Sequence, residues 1–246
     1  MKRWWLLLWL LLPLPVVVWH FGAGQKWLAR DQAQGLLRQA ERAEAARNWK
    51  TAEELFRQAG GQLRDTEPRL ATQLDMALAR MRYRQGGAVA AIDMIDRVID
   101  DRRFRAQPEL LQREARELAG RIHYHAAWVM RLEGAQRDLW MEEAELARQN
   151  FRMLSEDNLA AGRAAYSQLQ QTNLESAVRL QRLSLTELMA RRLPEEGQAL
   201  VGQGLTEEMA RRRGRRGQRP GIGETTDARD PASGAGNSRF PGGPGS

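Results

Sequence analysis

From Asp31 to Asp100, apolar residues return at intervals of three and four, the spacing that puts side chains on one face of an α-helix. Four helices follow from this pattern. The first, over 31–47, carries Leu36, Leu37, Ala40 and Ala43, and Asn48 ends it. The second runs over 49–63 and holds Ala52, Phe56 and Ala59, a small residue, a ring and a small residue on one side. The small positions let a neighbouring helix approach, and the ring fills the gap between them. The third opens at Pro68, a residue suited to a first helical turn, and carries Leu70, Leu74, Ala77, Leu78 and Met81. Gly86-Gly87 stops it, and the fourth, over 88–100, turns Ala91, Ile92, Ile95, Val98 and Ile99 inward.

Pro108 opens a third pair of helices over 108–154. Its first member has an apolar seam through Leu111, Ala115, Leu118, Ile122, Ala126, Val129 and Leu132; Gly134 breaks it, and the partner carries Trp140, Ala144, Ala147, Phe151 and Leu154. A further long helix is predicted over 158–192, with a heptad-like seam through Leu159, Tyr166, Leu169, Leu180 and Leu183. It either lies across the hairpins or pairs with another copy. Residues 194–246 read as a low-complexity tail. A marginal helix is conceivable over 195–210, and the Gly-, Pro-, Arg- and Ser-rich remainder has too few apolar residues to offset its ordering entropy.

At the other end, Lys2 and Arg3 precede an apolar run from Trp4 to Phe21, bracketed by Trp residues. A helix of that length spans roughly 27 Å, close to a bilayer core. Residues 1–24 are therefore predicted to be a signal anchor or transmembrane helix, single-pass in the cytoplasmic membrane, with the N-terminus inside and the body exported. The alternative is a signal peptide cut near Gly22-Ala23-Gly24, which would leave a secreted or periplasmic protein.

The two hairpins over 31–101 resemble tetratricopeptide repeats. Ala52-Phe56-Ala59 and Ala91-Ile95-Val98 keep the same offsets and match that family's small, large, small second helix, with Trp49 and Ala88 before them and Gly86 at the turn. Two departures stand out. Ala52 and Ala91 are 39 residues apart, against about 34 in the family. The aromatic expected late in each first helix is replaced by Ala43 and Arg82. The resemblance implies an all-α solenoid of antiparallel helix pairs, with 108–154 a degenerate pair or a different hairpin that caps the stack. Its concave face, with Arg38, Gln73 and Arg80 as candidate lining residues, would bind a protein or peptide.

Composition changes this picture little. The formal net charge is +7 and there is no cysteine, so neither a disulfide framework nor thiol chemistry is expected. His123 and His125 are two apart on a helix and diverge, which argues against a shared metal; one is expected to pack and the other to be solvated. Glu142, Glu143 and Glu145 beside Arg148 and Arg152 read as a solvated face with local ion pairs. No nucleophile elbow, phosphate loop or paired-histidine zinc motif is present, so no catalytic residue, cofactor or metal is assigned and no enzymatic activity is expected. The run Arg211, Arg212, Arg213, Arg215, Arg216 and Arg219 is a candidate anion-binding tail. It lacks interleaved aromatic residues, which disfavours nucleic acid. The expected function is a membrane-anchored, non-enzymatic adaptor for a protein partner on the extracytoplasmic side. The alternatives are a structural envelope protein that self-associates through 158–192 and a binder of anionic polymer through the tail.

Overall fold

A computed structural model describes residues 23–63 and 68–217 of the chain. The described residues form helices and no strand. In order they are α1 (Ala23–Ala45), α2 (Trp49–Leu63), α3 (Pro68–Arg84), α4 (Ala88–Asp100), a 3-10 turn (Phe104–Ala106), α5 (Glu109–Leu132), α6 (Arg137–Ala160), α7 (Ala164–Arg182), α8 (Leu185–Met189), α9 (Glu195–Gln198) and α10 (Leu205–Gly217). From α1 to α7 each helix packs on the next.

The turns follow from local chemistry. The chain reverses between α3 and α4 at Gly86, whose φ is +89°, a left-handed conformation that costs glycine nothing. Arg47 takes the same role after α1 at φ +58°, where its amide bonds back to Glu44. The core has two main parts. Ala40, Ala52, Phe56, Ala59, Leu74 and Met81 fill the space among α1, α2 and α3. A larger part, around Ile92, Ile95, Ile122, Val129 and Trp140, lies among α4, α5 and α6 and takes in Leu188, Leu200, Leu205 and Met209 from the C-terminal segment. Helices α5 and α6 are closely packed at Gly120, where an added Cβ would stand 2.7 Å from the ring of Phe151.

A tetratricopeptide solenoid stacks equal units, each touching only its neighbours. This chain does neither, so that expectation is corrected. The paired helices have 23 and 15, 17 and 13, and 24 and 24 residues. The C-terminal segment also runs back over the array. Arg47 after α1 pairs with Glu195 at 3.0 Å, Glu196 bonds Arg84 at 2.7 Å, and α10 lies on α4 and α5.

The helix read over 158–192 is also corrected. Residues 158–160 end α6, the chain turns at Gly162, and α7 stops at Arg182. The seam is used within the chain: Ala177 packs with Phe151 and Leu154 of α6, and Leu180 joins the larger core. The guanidinium of Arg131 donates to the carbonyls of Leu180 and Leu183 at the end of α7 while lying 4.5 Å over the ring of Trp140. What reads as a low-complexity tail from 194 contains α9 and α10 as far as Gly217.

No helix among the described residues is long and apolar enough to cross a membrane. Residues 1–22, where most of the predicted anchor falls, lie outside the described residues, and from Ala23 the chain is already in the polar helix α1. The transmembrane helix, the single-pass placement with an exported body, and the membrane as a partner are withdrawn on that finding.

Candidate functional site

Helices α4, α5, α6 and α10 bring together a set of charged side chains, with His123, Glu143 and Arg212 buried and Asp93 and Asp96 half-buried at its edge. His123, on the buried seam of α5, is 1% exposed. Its Nδ1 lies 2.5 Å from a carboxylate oxygen of Glu143 on α6, and its Nε2 lies 3.3 Å from one of Asp96 on α4. Arg212, on α10, is 5% exposed and forks over the same carboxylates. Its Nε donates to Asp93 at 2.7 Å, one terminal nitrogen donates to Asp96 at 2.8 Å, and the other stands 3.6 Å from Glu143. Two cations thus meet three carboxylates. Burial by itself would lower the His123 pKa; the charge of Glu143 and the bond to Asp96 outweigh it and hold the group up at about 9. The fork geometry suits arginine, whose donors are planar and fixed, better than lysine.

Both histidines are buried, which corrects the expectation that one is solvated. His125 faces the other way, toward α3, where the Tyr83 hydroxyl meets its Nδ1 and the two rings lie parallel with centroids 5.9 Å apart. Gly197 of α9 closes this side: a Cβ there would stand 3.1 Å from the His125 ring. Of the three glutamates read as a solvated face, Glu143 is buried, while Glu145 bonds Arg148 at 2.5 Å on the surface.

Glu133, just past the end of α5, caps α10 from outside. Its carboxylate accepts from the amides of Leu205 at 3.2 Å and Thr206 at 2.7 Å. This supplies the acceptors that a helix start needs.

The residues singled out from the sequence fall in several places. Ala52, Phe56 and Ala59 lie in the α1–α3 core, and Ala91, Ile95 and Val98 in the larger core. Trp49 is half-buried, with the Arg84 guanidinium 5.7 Å from its ring. Arg38 is exposed on α1, away from any described cluster. Gln73 and Arg80 of α3 line a groove of about 330 Å³ shared by α1, α3 and α5. Arg80 is held there by two bonds to Glu44 of α1, at 2.6 and 2.8 Å. Arg211, Arg213 and Arg215 are exposed on α10 and Arg213 pairs with Asp138 at 2.6 Å; Arg216 lies in the last turn of the same helix, and Arg219 lies outside the described residues.

Among the described residues, the groove has an apolar floor of Leu37, Leu70, Leu74 and Leu111, and a rim of Glu41, Glu44 and Glu114 against the one cation Arg80. A larger hollow of about 590 Å³ between α3, α4 and the 3-10 turn has a rim of mixed sign, and its Asp101 is already bonded to Arg103 at 2.8 Å. Among the described residues no group of three or more acidic, histidine or cysteine side chains is placed to hold a metal ion. No family model matches the chain, and no curated protein or solved structure matches it. The tetratricopeptide assignment therefore has no support from kinship either. Fold and site define an all-α protein of helical hairpins whose last described helix is clasped by a largely buried ionic cluster.

Proposed function

We propose that the chain is a non-catalytic binding module whose α1–α3–α5 groove takes a protein segment carrying apolar anchors flanked by basic side chains. One observation carries the reading: an acidic groove in a chain whose formal net charge is +7. Among the described residues, three carboxylates against one guanidinium leave the rim negative, and Arg80 is already spent on Glu44. The apolar floor supplies burial, and the rim selects the sign of the partner. Glu41 and Glu114 are exposed and positioned to meet incoming cations. The buried titratable groups support the non-catalytic part. His123, Glu143, Asp96 and Arg212 are bonded to one another.

The test is a titration of two labelled peptides with the same apolar pattern, one with Lys and Arg flanks and one with Glu flanks. The basic peptide is expected to bind and the acidic one not. Leu70→Asp should abolish binding, and Glu41→Lys with Glu114→Lys should reverse the preference. Equal binding of both peptides, or none, would defeat the proposal.

A further inference from the structure

We propose that the groove formed by α4, α5 and the first turns of α6 is a helix-recognition site that α10 fills in cis. It accepts in trans a partner helix bearing two apolar side chains four residues apart and an arginine three residues further on. The reading is independent of the groove on α1, α3 and α5.

The spacing comes from α10 itself. Leu205, Met209 and Arg212 are its buried positions, while Glu207, Ala210, Arg211, Arg213 and Arg215 face solvent. Offsets of four and three put the buried set in one stripe, which is how a helical ligand engages a groove. The outward face is charged and stays in water whether or not the helix is seated.

The receptor half is built without α10. The two bonds of His123, to Glu143 and Asp96, join α5, α6 and α4 to one another and involve no atom of α10. With Arg212 gone, three carboxylates would face one imidazolium, an anionic end that selects a guanidinium able to reach two carboxylates at once. At the opposite end Glu133 offers acceptors to the first amides of whatever helix lies there. The start of α10 is thus read by the groove.

The attachment runs through two glycines in the left-handed region. Gly202 and Gly204 have φ of +77° and +67°, and an added Cβ at either would meet nothing within 4 Å. The link between Leu200 and Leu205 is therefore unpacked at both glycines. The fit is also loose along one flank. A hollow of about 520 Å³ runs between α10 and the start of α6, lined by Gln136, Leu139, Thr206, Ala210 and Arg213. A helix with larger side chains at the positions of Thr206 and Ala210 would fill it.

The experiment uses the full chain and a labelled synthetic peptide of residues 203–217, read by fluorescence anisotropy. Arg212→Glu in the full chain sets a carboxylate against Asp93, Asp96 and Glu143 and should release α10. That variant should bind the wild-type peptide one to one and roughly ten-fold or more tighter than the wild-type chain, whose tethered helix competes at an effective concentration of about millimolar. A peptide with Arg212→Glu should not bind. Met209→Asp in the full chain, which opens the groove from its apolar side, should give the same gain. Variants that keep their helical circular dichroism and take up no peptide would overturn the proposal. So would loss of folding in both variants, which would make α10 an inseparable part of the core. A wild-type chain that dimerises with concentration and takes up no peptide would assign the groove to a second copy and overturn it as well.

Discussion

His123 and His125 stand two residues apart on α5, and their surroundings push their pKa values in opposite directions. His123 is clamped between Glu143 and Asp96, and these carboxylates outweigh its burial and raise it to about 9. Burial dominates at His125, over the opposing charge of Glu196, and lowers it to about 4. A helix turns about 200° over two residues, so one imidazole faces the ionic cluster and the other faces Tyr83.

The pH dependence of stability follows from that pair. His123 has its folded pKa above the ordinary 6.5, so its stabilisation is complete below 6.5 and is lost as pH rises through about 9. His125 has its folded pKa below 6.5, so its stabilisation is present above 6.5 and is lost as pH falls through about 4. Denaturant midpoints should therefore fall on both sides of neutrality. His123→Gln should flatten the alkaline flank only. Two imidazoles titrating together near 6.5 by NMR would contradict this account.

Arg212→Met should destabilise by about 2–4 kcal/mol, because it leaves three carboxylates facing one imidazolium. The value falls toward the lower end because Asp93 is 44% exposed and partly screened. Arg212→Lys should recover less than half of the loss in urea titrations, since one ammonium cannot fork to Asp93 and Asp96 as the guanidinium does. A neutral Arg212→Met would mean that the cluster contributes nothing net.

The helices were the legible part. Those read over 49–63 and 88–100 are present with those bounds, because periodicity and glycine punctuation are local signals. The cluster was not legible for a related reason. Arg212 sits in a run of arginines and glycines that looks solvated, and its acceptors Asp93 and Asp96 lie 119 and 116 residues away in sequence. His123 finds Glu143 across a helix pair, 20 residues off, where spacing rules within one helix do not reach. One signal was available: Leu205, Met209 and Arg212 form a stripe that marks α10 as docked. The predicted solenoid failed because local repetition in two hairpins says nothing of a C-terminal segment that returns over them.

Gly120→Ala tests a close helix contact. Its Cβ would lie 2.7 Å from Cε1 of Phe151, a ring that is itself buried, so overpacking should cost about 1–3 kcal/mol. Gly35 in α1 has nothing within 4 Å of the same atom. Gly35→Ala should instead gain about 0.5–1 kcal/mol of helix propensity. Thermal melts of the two variants should move in opposite directions, and Phe151→Leu should relieve the first.

Gly86→Ala probes how the C-terminal segment is seated. Gly86 combines a φ of +89° with a close approach: an added Cβ would stand 2.5 Å from the carbonyl oxygen of Ala199. That neighbour is backbone and cannot rotate aside, so the substitution must push residues 195–200 away from the α3–α4 turn. The movement would strain the bonds of Glu196 to Arg84 at 2.7 Å and to Arg121 at 3.4 Å, and would lift Gly197 from His125. Gly134→Ala is the control, because Gly134 has a similar φ of +75° with nothing within 4 Å. The control should cost about 1 kcal/mol of backbone strain. Gly86→Ala should cost that and about 1–3 kcal/mol more from the contact. Amide exchange should also quicken across 195–204 in Gly86→Ala and stay unchanged there in Gly134→Ala. Equal losses in the two variants would show that conformation alone accounts for Gly86, and that the segment over it is not held against the turn.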